Sequence, residues 1–149
     1  MKPRHIDIAA AEGAFCHARD TYEQAFGSFF LARLLGFELA YHDDCCRVGF
    51  EVRDFMFNPQ GSLHGGIIAL ALDVSMGHFL NHLQGPAMTL EMKTQYLGAI
   101  RGGRVCAEGR LLRRGRGICF LESRLTDADG GLQAHATATW KFLGPAAGA

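Results

Sequence analysis

The chain has 149 residues, 48% of them hydrophobic and 11 of them Phe, enough to bury one core and most simply read as one domain. Fifteen acidic and fifteen basic side chains cancel, so the basic excess of a generic nucleic-acid binder is missing. No run of eighteen apolar residues predicts a membrane span, Met1–Asp7 lacks the apolar stretch of a signal peptide, and five cysteines without CxxC spacing predict reduced thiols in a cytoplasmic protein.

Phe15, Tyr22, Phe26, Phe29, Phe30 and Leu34 recur at helical spacing and Gly36 closes the run. Residues 9–35 therefore read as an amphipathic helix with Gly27 as a candidate break, and 1–36 as a helical extension packed on the main domain. Phe37, Leu39 and Tyr41, then Val48, Phe50 and Val52, alternate with polar or small residues on either side of Asp43-Asp44, which predicts a hairpin. Gly61 and Ser62 break the next extended run, with Ser62 a candidate N-cap, and an apolar stretch from Ile67 to Leu72 predicts a buried helix over about 63–81. Met88, Leu90 and Met92 then alternate with Thr89, Glu91 and Lys93, and period-two runs cover about 103–113, 117–126 and 131–143. The order predicts an α+β domain over 37–143, a largely antiparallel sheet wrapped on one long helix, followed by a disordered tail over 144–149.

The segment from Asn58 to Asp73 carries the chemistry. The first N–H groups of a helix have no partner within it and sit at its positive end, where they attract a polarised carbonyl oxygen; Gly65 and Gly66 let a substrate approach that backbone. Asp73 lies among Ile, Ala, Leu, Val, Ser and Met, a costly setting for an acid without partners or work. On one helix Gly65 and Asp73 stand about 12 Å apart, too far for both to touch one reacting carbon. Two copies packed antiparallel about Ala69 would bring residue 65 of one to residue 73 of the other, so the spacing predicts a homodimer with two composite sites.

Asn58, Gly61, His64, Gly65, Gly66 and Asp73 resemble, position by position, the pattern of the hotdog-fold thioesterases, specifically the PaaI-like branch. Thr89–Leu97 is similar to the strand that follows the central helix in that family, and the resemblance runs from about Phe37 to Leu143. It implies the hotdog fold and an acyl-CoA thioesterase without cofactor, acting on a small, medium-chain or aromatic acyl group as a homodimer or a dimer of dimers. The implied roles are carbonyl polarisation by the Gly65 N–H, and a partner Asp73 that either activates water as general base or attacks the carbonyl itself. Asn58 would position the water or the thioester, and Thr89 matches the family's Ser or Thr after the helix. Strand parity puts Thr89 opposite Met88, Leu90 and Met92, so if the Met/Leu side packs on the helix, Thr89 comes to the site only through a bend. His64 either transfers protons or hydrogen-bonds local backbone and holds the turn that aims Gly65.

Arg113, Arg114 and Arg116 at a hairpin turn are candidates for the phosphates of CoA, against a plain solvated turn. Met76, Phe79, Leu80 and Phe57 are candidates to shape an acyl pocket. His78 and His82 are spaced to face one metal but no third ligand follows, so a charge role at the helix C-terminus is preferred. Gly61-Ser62 lacks the G-x-S-x-G elbow of serine hydrolases. Two alternatives stay open beside the thioesterase: a non-catalytic acyl-CoA binding or sensing module, and a hotdog hydratase or dehydratase.

Overall fold

A computed structural model describes residues 5–144; the rest of the expected tail, 145–149, lies outside them. The N-terminal run forms two helices, α1 (Ile8–Thr21) and α2 (Phe30–Leu35), and not one. Asp7 caps α1 by accepting from the Ala10 N–H at 3.0 Å. The chain then turns through Gly27, and α2 ends at Gly36 in the left-handed conformation, with φ of 67°. Aromatic periodicity continues across the break because Phe15 and Tyr22 of α1 meet Phe30 of α2 edge-on, at centroid distances of 5.8 and 5.6 Å.

The remaining elements are β1 (Glu38–Tyr41), β2 (Cys46–Glu51), a short 3-10 turn (Asp54–Met56), α3 (Gly65–Leu83), β3 (Ala87–Tyr96), β4 (Arg104–Arg114), β5 (Ile118–Asp127) and β6 (Leu132–Phe142). The six strands make one antiparallel sheet in the order β1-β2-β4-β5-β6-β3. This is the hotdog arrangement expected from the sequence, with α3 as the filling. Its buried face of Ile68, Ala71, Leu72, Ser75, Met76 and Phe79 lies on inward residues of the sheet such as Val48, Ala107, Leu121 and Ala136. By length and composition α3 is apolar enough to cross a bilayer, which corrects the expectation that no segment qualifies; half of it is buried within the sheet, and that burial accounts for its apolar character.

Close approach of helix and sheet depends on small residues. A Cβ on Gly109 of β4 would stand 2.5 Å from the backbone carbonyl of Ser75, so neither side could yield by rotating a side chain. Gly109→Ala is therefore expected to cost about 1–3 kcal/mol of stability, measured as a shift in the denaturant midpoint; an unchanged midpoint would mean that α3 does not bear on the sheet there. A buried serine pair in this layer is satisfied: the Ser75 hydroxyl donates to the Leu72 carbonyl at 2.7 Å and lies 2.7 Å from the Ser123 hydroxyl.

The crossover that places β3 beside β6 leaves β3 at an edge, and its outer side pairs with no strand among the described residues. Between Thr89 and Glu91 the register of β3 on β6 shifts by a β-bulge. Before the bulge Met88 and Leu90 point away from the helix, 46% and 49% exposed, and Thr89 points toward it; after the bulge Met92 and Thr94 take the inward positions. The strict alternation read from the sequence is thus broken by one inserted residue, and the inward side at position 89 belongs to Thr89.

Candidate active site

The approach to α3 is built by Asn58. Its side-chain oxygen accepts from the Gln60 N–H at 2.9 Å and the Ser62 N–H at 3.3 Å, while its amide donates to the Ser62 hydroxyl at 3.1 Å. The turn passes through Gly61 at φ of 81°, a conformation that glycine adopts without steric cost. Two backbone bonds, Leu63 N–H to the Ile100 carbonyl at 2.7 Å and His64 N–H to the Met56 carbonyl at 2.9 Å, then hold the helix start against the domain.

His64, and not Ser62, is the N-cap. Its Nδ1 accepts from the Gly66 N–H at 2.9 Å, a pairing available because an acceptor two residues before a helical N–H meets one of the unpartnered donors of the first turn. With the Gly66 N–H consumed, the Gly65 N–H is left without a hydrogen bond among the described residues. That donor opens on a cavity of ≈ 340 Å³ lined by Asn58, Leu63, Gly65, Ile68, Tyr96 and Leu97 among others. Its walls are mixed: Leu63, Ile68, Leu97 and Ala99 give apolar surface on which an acyl group can lie, and Asn58, Ser62, the helix start and Tyr96 give polar surface that can meet a thioester.

Asp73 stands two turns further along α3, half-buried, and accepts from the Thr89 hydroxyl at 2.7 Å. Burial pushes its carboxyl above the ordinary aspartate range, and the Thr89 hydroxyl, by stabilising the charged form, pulls it part of the way back. The bulge in β3 is what brings Thr89 to this carboxylate. If Asp73 must be ionised to work, activity should rise with pH through its raised pKa, and Thr89→Val, by removing the stabilising donor, should move that acid limb to higher pH. A pH–kcat/KM profile of the variant with an unmoved limb would separate the hydroxyl from the titrating group.

Of the residues expected from the sequence, the fold brings Asn58, His64, Gly65 and Gly66 together at one end of the helix and Asp73 with Thr89 in its middle. Within one protomer these two groups stay apart. Gly65, Ala69 and Asp73 are all partly exposed and succeed one another at every fourth residue of α3. Arg113, Arg114 and Arg116 are exposed around the β4–β5 turn, where Arg114 bonds Gln84 just past the C-terminal end of α3. Met76, Phe79 and Leu80 do not face the cavity beside Gly65: they are buried in the core under the sheet, because the helix face that carries them is the one the strands cover.

His78 is corrected as well. It is buried between Phe26 and Phe29, with the Tyr41 hydroxyl 3.4 Å from its Nδ1, and burial pushes its pKa down to about 4. It is neutral at pH 7 and supplies no charge to the helix end. His82 stacks on Tyr41 at 4.9 Å, and no cluster of three metal-ligating side chains exists among the described residues. Sequence reasoning missed Tyr96, whose hydroxyl donates to the Gly65 carbonyl at 3.1 Å. Its only signal was a place at the end of the strand that also carries Thr89.

Comparison with known proteins adds the following. Residues 60–134 match the family model described as the thioesterase superfamily. A Saccharolobus solfataricus protein named as an esterase is 35% identical over 56% of this chain, which spans 61% of that protein's length. The medium/long-chain acyl-CoA thioesterase YigI of Salmonella typhimurium is 31% identical, with 72% of this chain and 82% of the relative covered. Among solved structures, a Bacillus halodurans protein crystallised with CoA superposes with a TM-score of 0.78 over 91% of this chain and 90% of its own, at 22% identity, which bears on the fold.

Proposed function

Since the chain belongs to the thioesterase superfamily, the hydrolases of thioesters, we propose that it cleaves the thioester of an acyl-CoA to the free acid and CoA at two equivalent sites of a homodimer. The observation that carries this reading is the unpartnered Gly65 N–H at a helix start, facing a cavity of mixed apolar and polar lining, on the same helix as a half-buried carboxylate with a raised pKa. The 31% identity with an acyl-CoA thioesterase supports CoA as the carrier.

The dimer follows from two unsatisfied features. The outer edge of β3 carries unpaired backbone groups flanked by exposed Met88 and Leu90, an edge that a second β3 would cover. The stripe of Gly65, Ala69 and Asp73 lies partly open on α3, and an antiparallel copy crossing at Ala69 puts the Gly65 N–H of one protomer beside the partner subunit's Asp73.

In that site the thioester carbonyl oxygen accepts from the Gly65 N–H, so charge developing on it meets a fixed donor and the positive end of α3. In the general-base route Asp73 takes a proton from water, the water oxygen bonds to the carbonyl carbon, the C–S bond breaks, and the proton passes to the departing sulfur. In the nucleophilic route a carboxylate oxygen of Asp73 bonds to the carbonyl carbon, the C–S bond breaks and CoA leaves as the thiolate; water then opens the mixed anhydride, which restores the Asp73 carboxylate and releases the acid, a proton from that water passing to the thiolate. Along α3, Gln84 and the Arg114 bonded to it lie about 16 Å past Asp73, a separation that the pantetheine arm of CoA can bridge, and the Arg113–Arg116 turn is our candidate for its phosphates. The five free thiols among the described residues accord with a cytoplasmic setting.

The test is release of free CoA from a panel of short, medium, long and aromatic acyl-CoAs, followed with a thiol reagent. Turnover of at least one supports the reading. Binding of the panel without release by any member would replace it with an acyl-CoA sensing role.

A further inference from the structure

We propose that Tyr96 is a positioning residue of this site, fixing the peptide that aims the Gly65 N–H and forming the wall against which the substrate lies. The inference rests on the reading of Gly65 given above. Gly65-Gly66 is the dipeptide step with the most backbone freedom in the chain's vocabulary, and it stands at a helix end, where fraying begins. A donor that stabilises a transition state must be held still beforehand.

The structure pins this step from both sides. The carbonyl of the Gly65–Gly66 peptide accepts from the Tyr96 hydroxyl at 3.1 Å, and the N–H of the same peptide donates to His64 Nδ1 at 2.9 Å. With both ends of that plane fixed, rotation about the Gly65 Cα is restricted and the neighbouring N–H keeps its direction. The ring of Tyr96 closes the other freedom, lying 3.3 Å from where a Cβ on Gly65 would stand. It is packed on the glycine and simultaneously lines the cavity.

Tyr96 also links the two halves of the chemistry. It ends β3, the strand whose Thr89 bonds Asp73, so one edge strand holds both the donor end and the acid of α3. Core packing does not require the hydroxyl: Tyr96 is 52% exposed and outside the buried cluster. Removing it alone tests position with little effect on the fold.

Tyr96→Phe keeps the ring and deletes the anchor. Measured on the best acyl-CoA of the panel, kcat is expected to fall about 3- to 10-fold, the scale of one lost hydrogen bond felt in the transition state. KM should stay within about twofold, because the ring that the substrate touches remains. The acid limb of the pH profile, set by Asp73 and Thr89, and the melting temperature should not move. An unchanged kcat overturns the assignment, and so does a loss of kcat that is matched by a lower melting temperature. Wild-type protein that turns over with Tyr96→Phe equally fast removes this inference alone; wild-type protein that releases CoA from no acyl-CoA removes the parent reading and this one with it.

Discussion

Asp73→Asn is expected to lower kcat/KM for acyl-CoA hydrolysis by about 10²- to 10⁴-fold while making the protein more stable at neutral pH. The two effects have one cause. Burial raises the Asp73 carboxyl above its ordinary range, so the folded protein binds that proton more tightly than the unfolded chain does. Its contribution to stability is therefore present below the unfolded aspartate pKa and is lost as pH rises through the raised value, where the fold must carry a buried charge. Asn has nearly the same shape, carries no charge, and keeps an oxygen for the Thr89 hydroxyl, which lies 2.7 Å from Asp73 Oδ1. Its melting temperature should exceed that of the wild type by a few degrees at pH 7, and the gap should close as pH falls toward 4. A variant as fast as wild type removes Asp73 from the chemistry. A variant that melts lower at pH 7 shows instead that the carboxylate is a structural anchor.

How far the sequence reaches is clearest at β3. Alternation located the strand, since Met88, Leu90 and Met92 are spaced as a strand would space them, but period two assumes that no residue is inserted, and the bulge between Thr89 and Glu91 inverts the inference. The bulge has no residue signature here, neither Gly nor Pro, so only the pairing with β6 reveals it. The start of α3 was legible for the opposite reason: Gly61 stands at φ of 81°, where the local backbone favours glycine, and the Gly65-Gly66 pair followed at once by an apolar run marks the helix start within a few neighbouring residues. Which of them caps was not legible, because Ser62 is the better cap by type and loses only when the Asn58 turn commits its N–H and hydroxyl to Asn58. His78 was misjudged since its spacing to His82 is visible in the chain and its cover of Phe26, Phe29 and Tyr41 is not. Likewise the apolar character of α3 announced burial without saying which side faced the sheet, and so Met76 could be placed in a pocket that the fold puts on another face. Local rules read elements and caps; what they leave out is decided by contacts far apart in sequence.

Two individually inactive variants should together recover about one quarter of wild-type activity, if each site takes its donor from one protomer and its acid from the other. The first is Asp73→Asn. The second is Gly65→Val, whose Cβ would lie 3.3 Å from the Tyr96 ring and whose methyl groups would crowd the one donor N–H; Gly65 does not need the left-handed conformation, so valine is sterically tolerable to the backbone. In a mixed dimer one site pairs the intact Gly65 of the Asn variant with the intact Asp73 of the Val variant, while the other site holds both lesions. Random exchange makes half of the dimers mixed, each with one working site of two, which gives the expected quarter. Were both groups to serve the same protomer's site, every site in the mixture would carry a lesion and nothing would return. The two arrangements differ in the recovered rate and in nothing else about the fold, since the same residues are altered in the same proportions. Recovery near zero, in a mixture shown by mass to contain mixed dimers, would therefore overturn the composite site even if each single variant behaved as argued. A protein that stays monomeric at assay concentration and still turns over would overturn it sooner, because α3 alone keeps Gly65 and Asp73 about 12 Å apart along its axis.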